Sequence, residues 1–349
     1  LLAVCALAAA CSPSDPAKDA SPPPGPSFSA APGRQTVRRT LDFSAGPQEG
    51  DVVARVPYGP NESALGYAPV CQDASCPPPC PCSTELFPAA FDVGDDEIWI
   101  LDGVKGRVAR YDDDDGFVSA TRNEAFGLRA FDLQLVGDVG LVLSQTNDFR
   151  ALFTSVTRRP VSWPLDEETY SSFTASRRRV FTTVFRDEGI NSEEIPVEIV
   201  FHARAARAHE VPGVPFLDGW SFFEPFAGDQ AITVSVSSST ESWARDIRFR
   251  LLAERTHSAR GRISWERALA DDGTMHYLLF AGTYGRAEQN GWWYLTVSAD
   301  GSVGRPLRLR RTDIDPGGRH LSLGPDGEPY AMWRTSRGVV IEGLSDPAR

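Results

Sequence analysis

A four-strand unit that recurs along most of the chain constrains the fold more than any other feature. Residues 87–120 read F-P-A-A-F-D-V-G-D-D-E-I-W-I-L-D-G-V-K-G-R-V-A-R-Y-D-D-D-D-G-F-V-S-A. Four short apolar stretches, Ala89–Val93, Glu97–Leu101, Arg107–Tyr111 and Gly116–Ala120, alternate with turns rich in Asp and Gly, which tolerate the left-handed backbone of tight hairpins. Further apolar second strands are expected at Val139–Leu143, Arg179–Phe185, Gln230–Val236, Met275–Ala281 and Glu328–Trp333. Counted from Glu97, they start 42, 40, 51, 45 and 53 residues apart, close to the ~40–50 residues of a propeller blade. Turns precede several of them, at Gly137-Asp138, Gly228-Asp229, Asp271-Asp272-Gly273 and Pro325-Asp326-Gly327.

The fold class expected is therefore all-β, a β-propeller of about six four-stranded blades. The fifth unit shows an outer hairpin, Trp292–Val297 and Val303–Leu309 around Ala299-Asp300-Gly301. The last unit offers three strands, His320–Leu323, Glu328–Thr335 and Val339–Leu344. An unassigned strand near the other end, Asp51–Tyr58, is expected to complete that blade and close the ring, which removes exposed sheet edges. No long stretch has helical period; His202–Glu210 has helix-forming composition and is expected as an outer strand or loop.

Several runs in the first part of this region resemble bacterial NHL-like propeller proteins. They are Val53-Ala54-Arg55-Val56-Pro57-Tyr58-Gly59, Leu65-Gly66-Tyr67, Phe91-Asp92-Val93, Ile98-Trp99-Ile100-Leu101-Asp102 and Gly106-Arg107-Val108. The resemblance covers about residues 51–120 and fades into blade spacing beyond. It implies a propeller and, often, an exported protein; it implies no single activity, since propellers host many. A Cys-rich insert at 68–86 departs from the family pattern.

Leu1–Ala10 is small or apolar and uncharged, too short to span a bilayer but suited to the core of a signal peptide. The sequence opens on Leu without a charged leader, so the natural start is expected upstream. Leu7-Ala8-Ala9-Ala10-Cys11 resembles the lipobox of bacterial lipoproteins, with Leu one place further from the Cys than usual, and makes Cys11 the expected lipidation site. Residues 11–47 are rich in Ser, Pro, Ala and Asp and are expected to form a disordered tether, although strand-like rhythm begins near Thr36. The propeller is expected over 48–349. By resemblance to proteobacterial lipoproteins, Ser12 implies an outer-membrane lipoprotein of the cell envelope, facing the periplasm or the cell surface.

Cys71, Cys76, Cys80 and Cys82 are an even set within twelve residues, which in an oxidising compartment reads as two disulfides. A Cys80–Cys82 ring would be strained, so each is expected to cross to Cys71 or Cys76. A four-thiolate zinc site is the competing reading, but the spacing does not match paired C-x2-4-C arms.

Signals for chemistry are sparse. Asp102 and Arg107 could belong to a ligand site or form a structural pair across a turn; the structural reading is favoured. Asp112–Asp115 could hold Ca2+, but Asn123 stands where an EF-hand needs Glu, and a solvated turn is expected. His202, His209, His257, His276 and His320 form no short metal motif, and His276 beside Tyr277 reads as core. Trp220, Trp292 and Trp293 suit packing between blades better than sugar stacking, Ser235 and Ser237–Ser239 read as strand-end residues, and Arg177–Arg179 as a solvated run. No metal and no cofactor are expected. The net charge of −12 argues against nucleic acid and is explained by solubility, with a specific basic partner as the other reading. The expected function is a membrane-anchored, non-catalytic binding or scaffold module for an envelope protein or glycan, its site on inter-blade loops. The alternative is a propeller hydrolase or lyase acting on glycans.

Overall fold

A computed structural model describes residues 35–42, 46–47, 50–71, 83–112, 116–146, 150–168, 173–176, 179–188, 191–203, 205–210, 220–222, 231–238, 243–252, 261–270, 272–283, 286–298, 300–310 and 319–344. All lie in the unit Pro32–Arg349. The signal peptide, Cys11, Cys76, Cys80, Cys82, His257 and Arg177–Arg178 fall outside the described residues.

The amino-terminal part supplies β1 (Gln35–Asp42) and β2 (Asp51–Pro57), followed by the hairpin β3 (Ala68–Cys71) and β4 (Ser83–Leu86). The first four-strand unit is β5 (Ala90–Val93), β6 (Glu97–Asp102), β7 (Arg107–Asp112) and β8 (Phe117–Arg122). A short 3-10 helix, Glu124–Phe126, leads to β9 (Ala130–Val136), β10 (Val139–Gln145), β11 (Arg150–Val156) and β12 (Ser162–Glu168). Next come β13 (Thr174–Ser176), β14 (Arg179–Glu188), β15 (Asn191–Phe201) and β16 (Ala206–Glu210). Then follow β17 (Trp220–Phe222), β18 (Ala231–Ser238) and β19 (Trp243–Leu252); β20 (Gly261–Leu269), β21 (Met275–Thr283), β22 (Arg286–Val297) and β23 (Leu307–Leu309); and β24 (Leu321–Leu323), β25 (Pro329–Arg334) and β26 (Gly338–Gly343).

The chain is an all-β propeller. Each expected second strand is present, as β6, β10, β14, β18, β21 and β25. Among the described residues, the expected six separate blades are corrected to five blade sheets, four of four strands and one of eight. The eight-stranded sheet arises because β12 pairs with β14 at Glu168 and Phe185, joining two four-strand runs that the turn spacing marks as separate. Among the inner strands, β13, β9, β5, β24 and β20 contact one another in turn and β13 also reaches β20, so the two halves of the eight-stranded sheet each supply one inner strand to this circuit.

Closure by the amino-terminal strand is observed, with β2 antiparallel to β26 from Asp51 opposite Gly343 to Pro57 opposite Gly338. The tether expectation is corrected at its end. Gln35–Asp42 is a strand, β1, running parallel to β19 and filling the outer edge of that sheet. Leu41, fully buried, and Arg39, whose Nε donates to Gly304 O at 2.8 Å, hold it there. Composition hid this strand because its remaining described side chains are exposed or half-buried.

Burial explains why the central strands read as continuous apolar runs. β6 is sandwiched on both faces. Ile98 and Ile100 pack towards Val56, Met332 and Ile341 of the last sheet, whereas Trp99 and Leu101 pack towards Leu133 and Val142 of the next. Alternate residues of one strand thus belong to two inter-sheet cores, as a strand's period of two requires.

Candidate functional site

Three inner strands carry an acidic side chain that reaches the following inner strand. Asp92 on β5 accepts from Leu135 N on β9 at 2.5 Å. Asp132 on β9 accepts from Phe173 N, just before β13, at 2.8 Å. Glu266 on β20 accepts from Leu321 N on β24 at 2.9 Å and from His320 N. Ser322 on β24 then donates its hydroxyl to Asp92. Buried carboxylates are costly unless hydrogen-bonded, and here the bonds tie neighbouring units together.

Arg319, immediately ahead of β24, spans the channel these strands enclose. Its backbone N–H donates to Ala89 O at 3.0 Å. Its guanidinium passes β5 to reach Asp132, with Nε to Oδ1 at 2.6 Å and Nη2 to Oδ2 at 3.1 Å, and Nη2 also donates to Phe173 O at 2.5 Å. Burial pulls the Arg319 pKa down, but the Asp132 carboxylate together with the charges of Asp92 and Glu266 offsets this and the net shift is upward. Asp92 behaves differently. Burial pushes its carboxyl up to about 6, against hydrogen bonds from Ser322 and Leu135 and the charge of Arg319, which pull it down.

A cavity of about 1140 Å³ opens at one end of this channel. Its mouth is built from the hairpin turns between inner and second strands, at Gly94-Asp95, Gly137-Asp138, Asp272 and Pro325-Asp326-Gly327. Gly137 and Gly327 take φ of 63° and 76°, a backbone that glycine adopts without strain. The propeller geometry brings these turns to a common rim, so exposed Asp51, Asp95, Asp138, Asp272, Asp326 and Glu328 surround one opening. Among the described lining residues Arg319 is the one Lys or Arg, and it is committed to Asp132. Asp92, Ser322 and the pair His276–Tyr294, with Nδ1 and the hydroxyl 2.7 Å apart, line the wall. The mouth of this candidate cavity is made by turns within units, whereas the sequence-based expectation placed a site on inter-blade loops.

Several other residues singled out by sequence have local structural partners. Asp102 and Arg107 are fully buried and paired, Nε to Oδ2 at 3.0 Å. Asp102 also accepts from Gly66 N at 3.0 Å, and Arg107 donates to Glu62 O and Ala64 O at 2.5 Å. The pair thus pins the loop after β2 against the first sheet. Asp112 Oδ1 accepts from Gly116 N at 2.6 Å, a turn contact; 113–115 lie outside the described residues. Trp292 and Trp293 are buried, Trp292 against Phe280 and Trp333. His276 is buried, as expected of a core residue, and His320 is buried with Nδ1 3.1 Å from Met332 O, whereas His202 and His209 are exposed. Among the described residues no group of His, Cys, Asp and Glu could hold a metal, and no helix is long and apolar enough to cross a membrane. Cys71 ends β3 opposite Ser83.

Sequence reasoning missed Asp132, Glu266 and Arg319, and took Asp92 only as part of a family-like run. A signal was present: Ala90-Phe91-Asp92 and Ala130-Phe131-Asp132 repeat the same tripeptide 40 residues apart, at the blade interval.

No family model matches the chain, and no curated protein does. Solved structures similar in fold include a DUF4221-family member from Bacteroides vulgatus (8% identity, TM-score 0.42, covering 85% of this chain and 99% of that one). A putative exported protein from Bacteroides fragilis aligns at 6% identity and TM-score 0.42, over 90% of this chain and 99% of its own. Streptogramin B lyase aligns at 8% identity and TM-score 0.36, over 74% and 93%. With TM-scores below 0.5, these likenesses carry no argument about activity.

Proposed function

We propose that this chain is an exported, NHL-like propeller lipoprotein. In this reading Cys11 anchors it in the envelope, and it acts as a non-catalytic binding module for a lysine- or arginine-bearing segment of an envelope protein. The observation that carries the reading is the cavity, with six exposed carboxylates at its mouth and its one arginine consumed internally. Like-charged walls around a concave site concentrate counter-charged ligands. The volume slightly exceeds that of pockets that enclose whole small ligands, about 300–1,000 Å³. The inner-strand carboxylates Asp92, Asp132 and Glu266 are engaged by backbone N–H groups, which supports binding over an acid–base pair for glycan hydrolysis.

The test is fluorescence anisotropy with labelled pentalysine, using chitohexaose as a neutral glycan control. Pentalysine is expected to bind with steep salt dependence, and chitohexaose is not. The triple variant Asp95→Asn, Asp138→Asn, Asp326→Asn is expected to weaken pentalysine binding about tenfold. Equal binding by that variant, or saturable binding of the glycan alone, overturns the reading. Anchoring is checked separately: globomycin is expected to accumulate the precursor of the full-length protein, and unchanged processing refutes lipidation at Cys11.

A further inference from the structure

The cavity wall holds a hydrogen-bonded cluster centred on Asp92. Asp92 receives three hydrogen bonds, each from a different inner strand. Val93 N on β5 reaches Oδ1 at 3.0 Å, Leu135 N on β9 reaches Oδ2 at 2.5 Å, and the Ser322 hydroxyl on β24 reaches Oδ1. An ionised carboxylate accepts all three. A carboxylic acid has one O–H that must itself find an acceptor. The two amide groups cannot accept. Ser322 can, because a hydroxyl rotates between donor and acceptor. Among its three present partners, Ser322 is thus the one that can accept from a protonated Asp92, with its bond reversed, and both residues line the cavity.

We infer that Asp92 and Ser322 form a proton-operated switch in this wall. With Asp92 ionised the cavity holds its cationic segment. When a solvent proton adds to the carboxylate, Asp92 donates to Ser322 Oγ, the Ser322 O–H proton swings towards the cavity, the wall loses one negative charge, and the segment is released. This rests on the binding reading above and assigns its regulation.

The other titratable groups around Asp92 have partners of their own, and on β21 of the same wall His276 is bonded through Nδ1 to the Tyr294 hydroxyl at 2.7 Å. On β9, Asp132 is held by Arg319. On β6, Glu97 is paired with Arg110 at 2.9 Å. On the β24 side, Arg319 is the charge that acts on Asp92, and His320 is turned to Met332 O. On β20, Glu266 is occupied by backbone N–H groups. Because burial holds Asp92 near 6, the switch falls within a mildly acidic range.

The experiment measures pentalysine affinity from pH 7.5 to 5.0 for the wild type, Asp92→Asn and Ser322→Ala. At pH 5.0 about a tenth of Asp92 stays ionised, so the wild type is expected to bind roughly tenfold more weakly than at pH 7.5. Asp92→Asn is expected to show a flat profile. Ser322→Ala removes a bond that favours the ionised form, so its midpoint is expected to move to higher pH. A wild-type profile in Asp92→Asn, or an unmoved midpoint in Ser322→Ala, overturns the switch. Equal wild-type affinity at both pH values overturns the switch while leaving the binding reading intact. No binding at either pH removes both.

Discussion

Replacing Arg319 by Met tests whether the channel is held together across its width. The guanidinium makes three side-chain hydrogen bonds, to both oxygens of Asp132 and to Phe173 O. Asp132 is fully buried, and without Arg319 its carboxylate keeps only the N–H groups of Leu133 and Phe173. Three neutral hydrogen bonds would be worth about 1 kcal/mol each. Leaving a buried charge uncompensated costs about 3–5 kcal/mol, and that effect dominates. For a propeller of this length the loss corresponds to a melting temperature lowered by roughly 5–8 °C. Urea denaturation followed by tryptophan fluorescence, alongside thermal melts, reads it directly. The double variant Arg319→Met, Asp132→Asn removes the charge together with its partner and is expected to recover more than half of the loss. A cost below about 1 kcal/mol for Arg319→Met, or a double variant less stable than the sum of the singles, would refute the argument that this pair spans the channel.

Three further outcomes follow from packing. Gly140→Ala would place a Cβ 2.7 Å from the Trp99 ring and 3.1 Å from Val156 Cβ, so it is expected to cost about 1–3 kcal/mol; an unchanged melting temperature refutes the close approach of β10 to β6. Asp102→Asn leaves the buried Arg107 with the exposed Glu62 carboxylate, 3.7 Å away, as its remaining counter-charge, and is expected to cost about 3 kcal/mol and to speed hydrogen exchange in residues 59–66, whereas unaltered exchange there would show that the pair does not pin that loop. Leu41→Asp removes the buried anchor of β1 and is expected to abolish amide protection over residues 35–42 while β2 keeps its own; retained protection would mean that pairing with β19 holds β1 without Leu41.

Much of this fold was legible because its signals are local. A buried second strand such as Glu97–Asp102 must be apolar on both faces, and the turn beside it must supply Gly or Asp, so strand and turn are both written within a few residues. Asp102 and Arg107 face each other across one hairpin, within reach of sequence spacing alone. The strand at Asp51–Pro57 was legible by elimination, since the last unit was one strand short.

The tertiary structure decided what no local pattern encodes. Whether two four-strand runs remain separate or fuse depended on the single pairing of Glu168 with Phe185. The strand β1 exists because β19 offers it an open edge, not because its own sequence is apolar. The cavity mouth gathers Asp51, Asp95, Asp138, Asp272 and Asp326, which sequence shows as ordinary turn or strand-end residues. Arg319 meets Asp132 across 187 residues. Hairpin geometry is set by neighbouring residues, whereas the position of one unit's inner strand relative to another's is set by closure of the ring. Strands and turns could therefore be read from the sequence, but the site required the closed propeller.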